Sequence, residues 1–192
     1  MRVSVVIPVY EAAEFVEEAV ESALSQPETS EVVLVEDGSA DDSLEVCRCL
    51  QRSYEEVVLH RHPDGANRGA GASRNLGISV ASGPYIAFLD ADDVYLEGRF
   101  ERAGELLTSR SGIDGVYEAI GARFQDARAR ERWRARGDGG LTTMSRRVEP
   151  EGLFEALVER DRGNFTLDGL VVRSEVFRRS GCFFEDLRLH QD

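Results

Sequence analysis

The chain has no lysine: all 23 basic side chains among its 192 residues are arginine. That excludes a lysine Schiff base and the phosphate-gripping lysine of a Walker-type loop. It also has no stretch of about 18 apolar residues, so it encodes no transmembrane helix. The apolar opening MRVSVVIPVY is short, meets Pro8 and then acidic residues, and carries no small-residue cleavage site. It is expected to be a first strand and not a signal peptide. Cysteine is scarce. Cys47, Cys49 and Cys182 are odd in number and lack metal-ligand spacing, which points to ordinary thiols in a reducing compartment. Positive charge is in deficit as well. A net charge of -13 argues against nucleic acid as a partner. It also makes an anionic ligand hard to hold without a bound divalent cation.

Hydrophobic residues at 42% and charged residues at 31% place the chain among soluble globular proteins, and its length suits one domain. Apolar runs at 3–7, 32–35, 57–59, 85–89 and 113–117 are strand candidates, the first ended by Pro8. Between them Phe15, Val16, Ala19, Val20, Ala23 and Leu24 recur at helical spacing, Leu44, Val46, Cys47 and Leu50 suggest a second helix, and 70–81 and 96–109 two more. Further on, 150–159 reads as helix, 170–172 as strand, and Ser174 as a cap for a short helix ending near Gly181. Alternating strands and helices predict βαβ units with a mostly parallel sheet. In such sheets ligands bind beyond the carboxyl ends of the strands.

The residues at those ends form a coherent polar set: Pro8-Val9-Tyr10, then Glu36-Asp37-Gly38-Ser39, then Asn67-Arg68-Gly69 leading into Ser73-Arg74-Asn75, then Asp90-Ala91-Asp92-Asp93. Asp37 before a glycine suits a carboxylate that accepts from a base or a ribose; Asp37 or Ser39 equally suits a helix N-cap. Three carboxylates within residues 90–93 repel one another unless a cation lies between them, and a hard divalent ion shared with phosphate oxygens satisfies them. The other reading is a solvated acidic turn. Gly69, Gly71 and Gly77 could hug a nucleotide, with Arg74 pairing a phosphate or stacking on a base; they could equally let a helix pack tightly on the sheet. His60 and His62 are expected at the surface. His190 could approach a metal, and Glu185 could position a sugar.

The ordered series PVY (8–10), VEDGS (35–39), NRGAGASRNLG (67–77) and FLDADD (88–93) resembles the family 2 glycosyltransferases of GT-A fold. The likeness is strong over about residues 2–110 and continues weakly through 170–192. It implies an α/β/α three-layer sandwich in which residues 1–110 form the nucleotide-sugar half and 111–192 the acceptor side of the same domain. It further implies that Pro8, Val9 and Tyr10 line the nucleotide pocket, with Glu11 where many members carry Asn. Asp37 would bind the base, expected to be uracil; Arg74 would contact the nucleotide, with Asn67 nearby. Asp90, beside Ala91, would contact the ribose or sugar, and Asp92 would coordinate Mn²⁺ or Mg²⁺ against the diphosphate. Asp192 would be the general base of an inverting transfer from a UDP-linked donor to a saccharide or lipid-linked acceptor. Gln191 replaces the usual acid before that base. Family members continue beyond the position of Asp192, so a shortened acceptor side is expected. A donor-binding module without turnover, a sugar-nucleotidyltransferase and an α/β interaction domain are the competing readings; the second lacks its basic Gly-rich loop after strand one.

Residues 123–147 stand apart. Eight arginines among three acids give the segment +5 and leave -18 for the rest. It reads as a solvated segment with a glycine tip at 137–140, or as a grip on an anionic acceptor or membrane surface. The expected location is cytoplasmic, with peripheral contact at the inner face of the membrane as the alternative.

Overall fold

The structure, a computed structural model, describes residues 1–122, 124, 127–135, 143–144, 148–159, 163 and 166–185. Two compact units partition the chain: Met1–Val116 with Leu170–Asp192, and Tyr117–Gly169.

The first unit is built on a six-stranded sheet in the order β3-β2-β1-β4-β6-β5. β1 (Val3–Val9) lies between β2 (Thr29–Glu36) and β4 (Tyr85–Phe88), parallel to both, and β3 (Val57–Arg61) extends the parallel set beyond β2. β6 (Leu170–Arg173) runs antiparallel to β4, and β5 (Gly115–Tyr117) completes the edge. The sheet is mostly parallel, as the alternating pattern predicts.

β1 reads as nearly unbroken apolar sequence because both of its faces are covered. Val3, Val5, Ile7 and Val9 share one core with Val16, Ala19 and Ala23 of α1 (Val16–Leu24), Cys47 and Leu50 of α2 (Ser43–Ser53), and Ala103 and Leu107 of α4 (Glu101–Ser109). Strand alternation turns Val6 to the other face, where α3 (Ala70–Val80) comes very close. A Cβ built on Gly77 would sit 2.3 Å from Val6 Cγ1. Gly77 therefore lets the helix down onto the sheet and does not face a ligand. On the same side Phe177 of α7 (Glu175–Ser180) meets Phe88 of β4 edge-on at 6.0 Å. Helix, sheet and helix make three layers.

The element boundaries differ from the sequence pattern in physically informative ways. Pro8 does not end β1; it pairs in register with Val35. Val9 bonds toward β2 through Asp37 N–H, and Val6 toward β4 through Leu89 N–H. By alternation the N–H that proline lacks would point toward β4, beyond that strand's last paired residue, Phe88. Helix α4 begins at Glu101 and not at 96, because the chain first turns at Gly98 with φ +76° and buries Tyr95 and Phe100 edge-to-face at 5.4 Å. Ser174 occupies the N-cap position of α7 but makes no side-chain capping bond.

The second unit holds α5 (Ala127–Ala135), α6 (Pro150–Glu159), a bridge between Met144 and Gly163, and one 3-10 turn (Leu167–Gly169). Part of the arginine-rich stretch is thus helical; most of the rest, with its glycine tip, lies outside the described residues. No helix among the described residues is long and apolar enough to cross a membrane.

Candidate functional site

The site forms where β1, β2 and β4 end. At the close of β1 the chain turns through Glu11, whose φ of +49° is the only positive value at a non-glycine among the described residues. The β2–α2 loop holds this turn in place. Ser39 Oγ accepts Glu11 N–H at 3.1 Å, Ser43 Oγ accepts Ala12 N–H at 2.9 Å, and Asp41 accepts Ala13 N–H at 3.2 Å. Ser39 is fixed in turn by Glu36, a buried carboxylate that takes Ser39 N–H and Arg61 Nε–H, both at 2.6 Å. Burial alone would raise the Glu36 pKa, but these bonds outweigh it and hold the carboxyl below its usual range.

Asp37, only 2% exposed, reaches across to the turn that enters α3. Its Oδ1 accepts Arg68 N–H at 2.7 Å and its Oδ2 accepts Gly69 N–H at 2.8 Å. The carboxylate thus holds the backbone at the entry to the third helix, not the second. Each oxygen keeps lone-pair capacity toward the cleft. Gly38 has φ +73°, and a Cβ there would fall 2.7 Å from Asn67 N, so the β2 exit and the α3 approach touch backbone to backbone. His62, expected at the surface, is 8% exposed instead; its Nε2 lies 3.1 Å from Ser73 Oγ and 3.5 Å from Asp37 Oδ1. The histidine thus lies beside Asp37, outside the cleft lining.

Arg74, on the buried face of α3, donates from Nη2 to Asp90 Oδ1 at 2.8 Å. Asp90 opens the acidic turn after β4, which is closed by an Asp93 N–H to Asp90 carbonyl bond of 3.0 Å. One oxygen of Asp90 and one of Asp93 lie within 4.8 Å. Desolvation, and then the charges of Asp92 and Asp90, push the Asp93 carboxyl above its ordinary range. Excess negative charge concentrated here is the environment a hard divalent cation fits.

Pro8, Val9, Tyr10, Glu11, Asp37, Arg74, Asp90, Ala91 and Asp92 line one cleft of about 280 Å³. Asn67 is exposed and outside that lining. Asp192, Gln191 and His190 lie outside the described residues. The cleft also takes in Ala12, Ala70 and Phe15. Phe15 had the spacing of a core residue of the first helix, yet it stands at the helix N-cap and is 41% exposed. With Tyr10, 50% exposed, it gives the cleft aromatic surface above an acidic floor. Such a cleft can stack a planar base and, with a cation, hold a diphosphate.

The mostly parallel six-stranded sheet covered by helices is a GT-A-type fold. Residues 4–168 match the model of glycosyl transferase family 2, and the chain belongs to that family. It is 34% identical over 194 residues to the succinoglycan biosynthesis protein ExoU of Rhizobium meliloti, covering 99% of this chain and 54% of that protein. Among solved structures, S. aureus TarS 1–349 in complex with UDP-GlcNAc superposes with a TM-score of 0.69 at 19% identity, over 100% of this chain and 51% of that one. The mannosyltransferase PcManGT of Pyrobaculum calidifontis, in complex with GDP-Man and Mn²⁺, gives 0.64 at 19% identity over 97% and 48%. At that identity the structural likeness speaks to fold. The chain spans about half the length of ExoU and of TarS 1–349.

Proposed function

We propose that the cleft binds a nucleotide-diphosphate sugar, UDP-linked, and that the protein transfers the sugar with inversion to a saccharide or lipid-linked acceptor. One observation carries this reading: Asp37, Arg74, Asp90 and Asp92, from separate strand ends and a helix, open onto a single cleft. Pro8, Val9 and Tyr10 form the wall for the nucleoside, Asp37 offers its remaining lone pairs to the base, and Arg74 faces the nucleotide beside Asp90. Asp92, with Asp90, would hold Mn²⁺ or Mg²⁺. When bound, that ion neutralises the diphosphate that departs. The Mn²⁺ and GDP-Man of PcManGT and the UDP-GlcNAc of TarS make these the probes to try first.

In the transfer, the acceptor hydroxyl oxygen forms a bond to the anomeric carbon as the bond from that carbon to the diphosphate breaks. The hydroxyl proton passes to a carboxylate, the role proposed for Asp192, and the nucleoside diphosphate leaves. Helix α5 exposes Arg128, Arg130 and Arg132, positive charge that suits an anionic acceptor in this acidic chain.

Thermal-shift titration with UDP and UDP-sugars, with and without Mn²⁺, tests the reading. A ligand specific for the folded state raises the midpoint. UDP is expected to do so only with the cation present, and Asp92→Ala to remove most of the shift. Asp192→Ala should keep it while abolishing sugar transfer. No shift with any nucleotide defeats the proposal, and binding without transfer leaves a donor-binding module.

A further inference from the structure

The last described segment, which follows α7, is held in place by a residue that the cleft does not use. Asn75 follows Arg74 on α3, and one helical step of about 100° turns it away from the cleft lining and toward the segment around Phe183. Its Nδ2 donates to Phe183 carbonyl and to Glu185 Oε1, and its Oδ1 accepts Phe183 N–H, all at 2.9 Å. Both amide protons and the carbonyl oxygen are engaged, and Phe183 is bonded on both its backbone groups as a strand neighbour would bond it. The Phe183 ring meets Phe88 edge-on at 5.5 Å and lies 5.9 Å from the Arg74 guanidinium carbon. Gly181, at φ +89°, ends α7 and releases the chain into this path.

Two consecutive residues of one helix therefore hold two different elements. Arg74 reaches Asp90 in the cleft wall, and Asn75 holds Phe183 and Glu185 after α7. We infer that Asn75 is a positioning residue. Its amide clamps residues 183–185 to the helix that carries Arg74, so that occupation of the cleft and order in that segment rise together. The coupling rests on the nucleotide-sugar reading; the clamp itself does not.

The test is amide hydrogen exchange at Phe183, read beside UDP affinity in the full chain with Mn²⁺. In the wild type, UDP should slow exchange at Phe183. Asn75→Ala should speed it by about tenfold or more without ligand, abolish the UDP-dependent slowing, and leave UDP affinity within about threefold. Combined with Glu185→Ala it should add little, because both changes break one unit. Asn75→Asp sets a carboxylate against Glu185 and should free the segment, and adding Glu185→Gln should restore part of the protection. Such rescue separates a lost clamp from general unfolding. Unchanged exchange at Phe183 in Asn75→Ala overturns the inference, as does UDP-dependent slowing that survives it. A wild type that binds no UDP fails the donor reading and the coupling together, and the ligand-free comparison still decides the clamp.

Discussion

Arg74 Nη2 donates to Asp90 Oδ1 across 2.8 Å, joining the third helix to the exit of β4. The guanidinium is 3% exposed and the carboxylate 38%, so the contact sits at the cleft wall, where water screens it only in part. Arg74→Lys keeps a charge but loses the planar fork that can meet carboxylate and phosphate at once. A hydrogen bond to a charged group is worth about 1.5–3 kcal/mol, so Arg74→Ala should weaken UDP binding by roughly ten- to a hundredfold, with Arg74→Lys nearer the lower figure. Calorimetric titration reads both values. Wild-type affinity in Arg74→Ala would remove the arginine from the site.

Asp37 should reveal a structural role as well as a binding one. Removing its carboxylate strands two backbone N–H groups, those of Arg68 and Gly69. An unmet buried donor costs about 1–3 kcal/mol, though solvent can reach Arg68. Asp37→Ala is expected to cost about 2–4 kcal/mol in urea unfolding, and Asp37→Asn about half, since its carbonyl oxygen still serves one donor. If Asp37→Ala loses UDP binding at unchanged stability, the residue acts on the base alone.

How much of this was legible beforehand follows from which contacts are local. Buried parallel strands write themselves as apolar runs, so the βαβ frame and the strand-end positions of Asp37 and Asp90 could be read directly. Phe15 could not, because a ring at helical spacing looks the same whether it enters the core or stands at the cleft rim. His62 was misplaced because its burial comes from Ser73 and Asp37, brought close only by the fold. The clamp from Asn75 to Phe183 spans 108 residues, and no periodicity records it. The glycines were ambiguous for a related reason. Gly77 serves packing on Val6 and Gly38 serves approach to Asn67, and both would be small in either reading.

The backbone at Glu11 suits asparagine better than glutamate. Its φ of +49° is in the left-handed region, which Asn tolerates and Glu does not favour. Glu11→Asn should stabilise the fold by about 0.5–1 kcal/mol, since left-handed backbone costs an ordinary residue about 1–2 kcal/mol. The charge of Glu11 is also the first cause holding the Tyr10 phenol above its ordinary pKa, ahead of desolvation. The same variant should therefore lower the Tyr10 midpoint in ultraviolet titration. A destabilised variant would mean that the Glu11 side chain does more than endure its backbone.

Glu36 sets an acid limit. Its carboxyl lies below the ordinary value in the folded state despite burial, because Ser39 and Arg61 bond the charged form. A depressed folded pKa gives stability that is present above the unfolded value, near 4.5, and lost as pH falls through the folded one. Glu36→Gln should therefore be less stable than wild type at pH 6–7, with the gap closing below about pH 4. A gap of constant size from pH 7 to 3 would assign the effect to packing.

Asp93 has the opposite sign, and a cation should expose it. Desolvation and the Asp92 and Asp90 charges raise its folded pKa, so its ionisation opposes folding. The stability it allows is greatest below its unfolded value of 3.8 and falls as pH rises through the folded one. A divalent ion bound among these carboxylates removes that penalty but must displace protons to do so. The rise in melting temperature produced by Mn²⁺ should accordingly be small near pH 4 and grow toward pH 7. Asp93→Asn should melt higher than wild type in metal-free buffer at pH 7 and respond less to Mn²⁺. Scanning calorimetry with and without the ion at several pH values decides it. If the Mn²⁺ response is independent of pH, the ion is not held by these carboxylates.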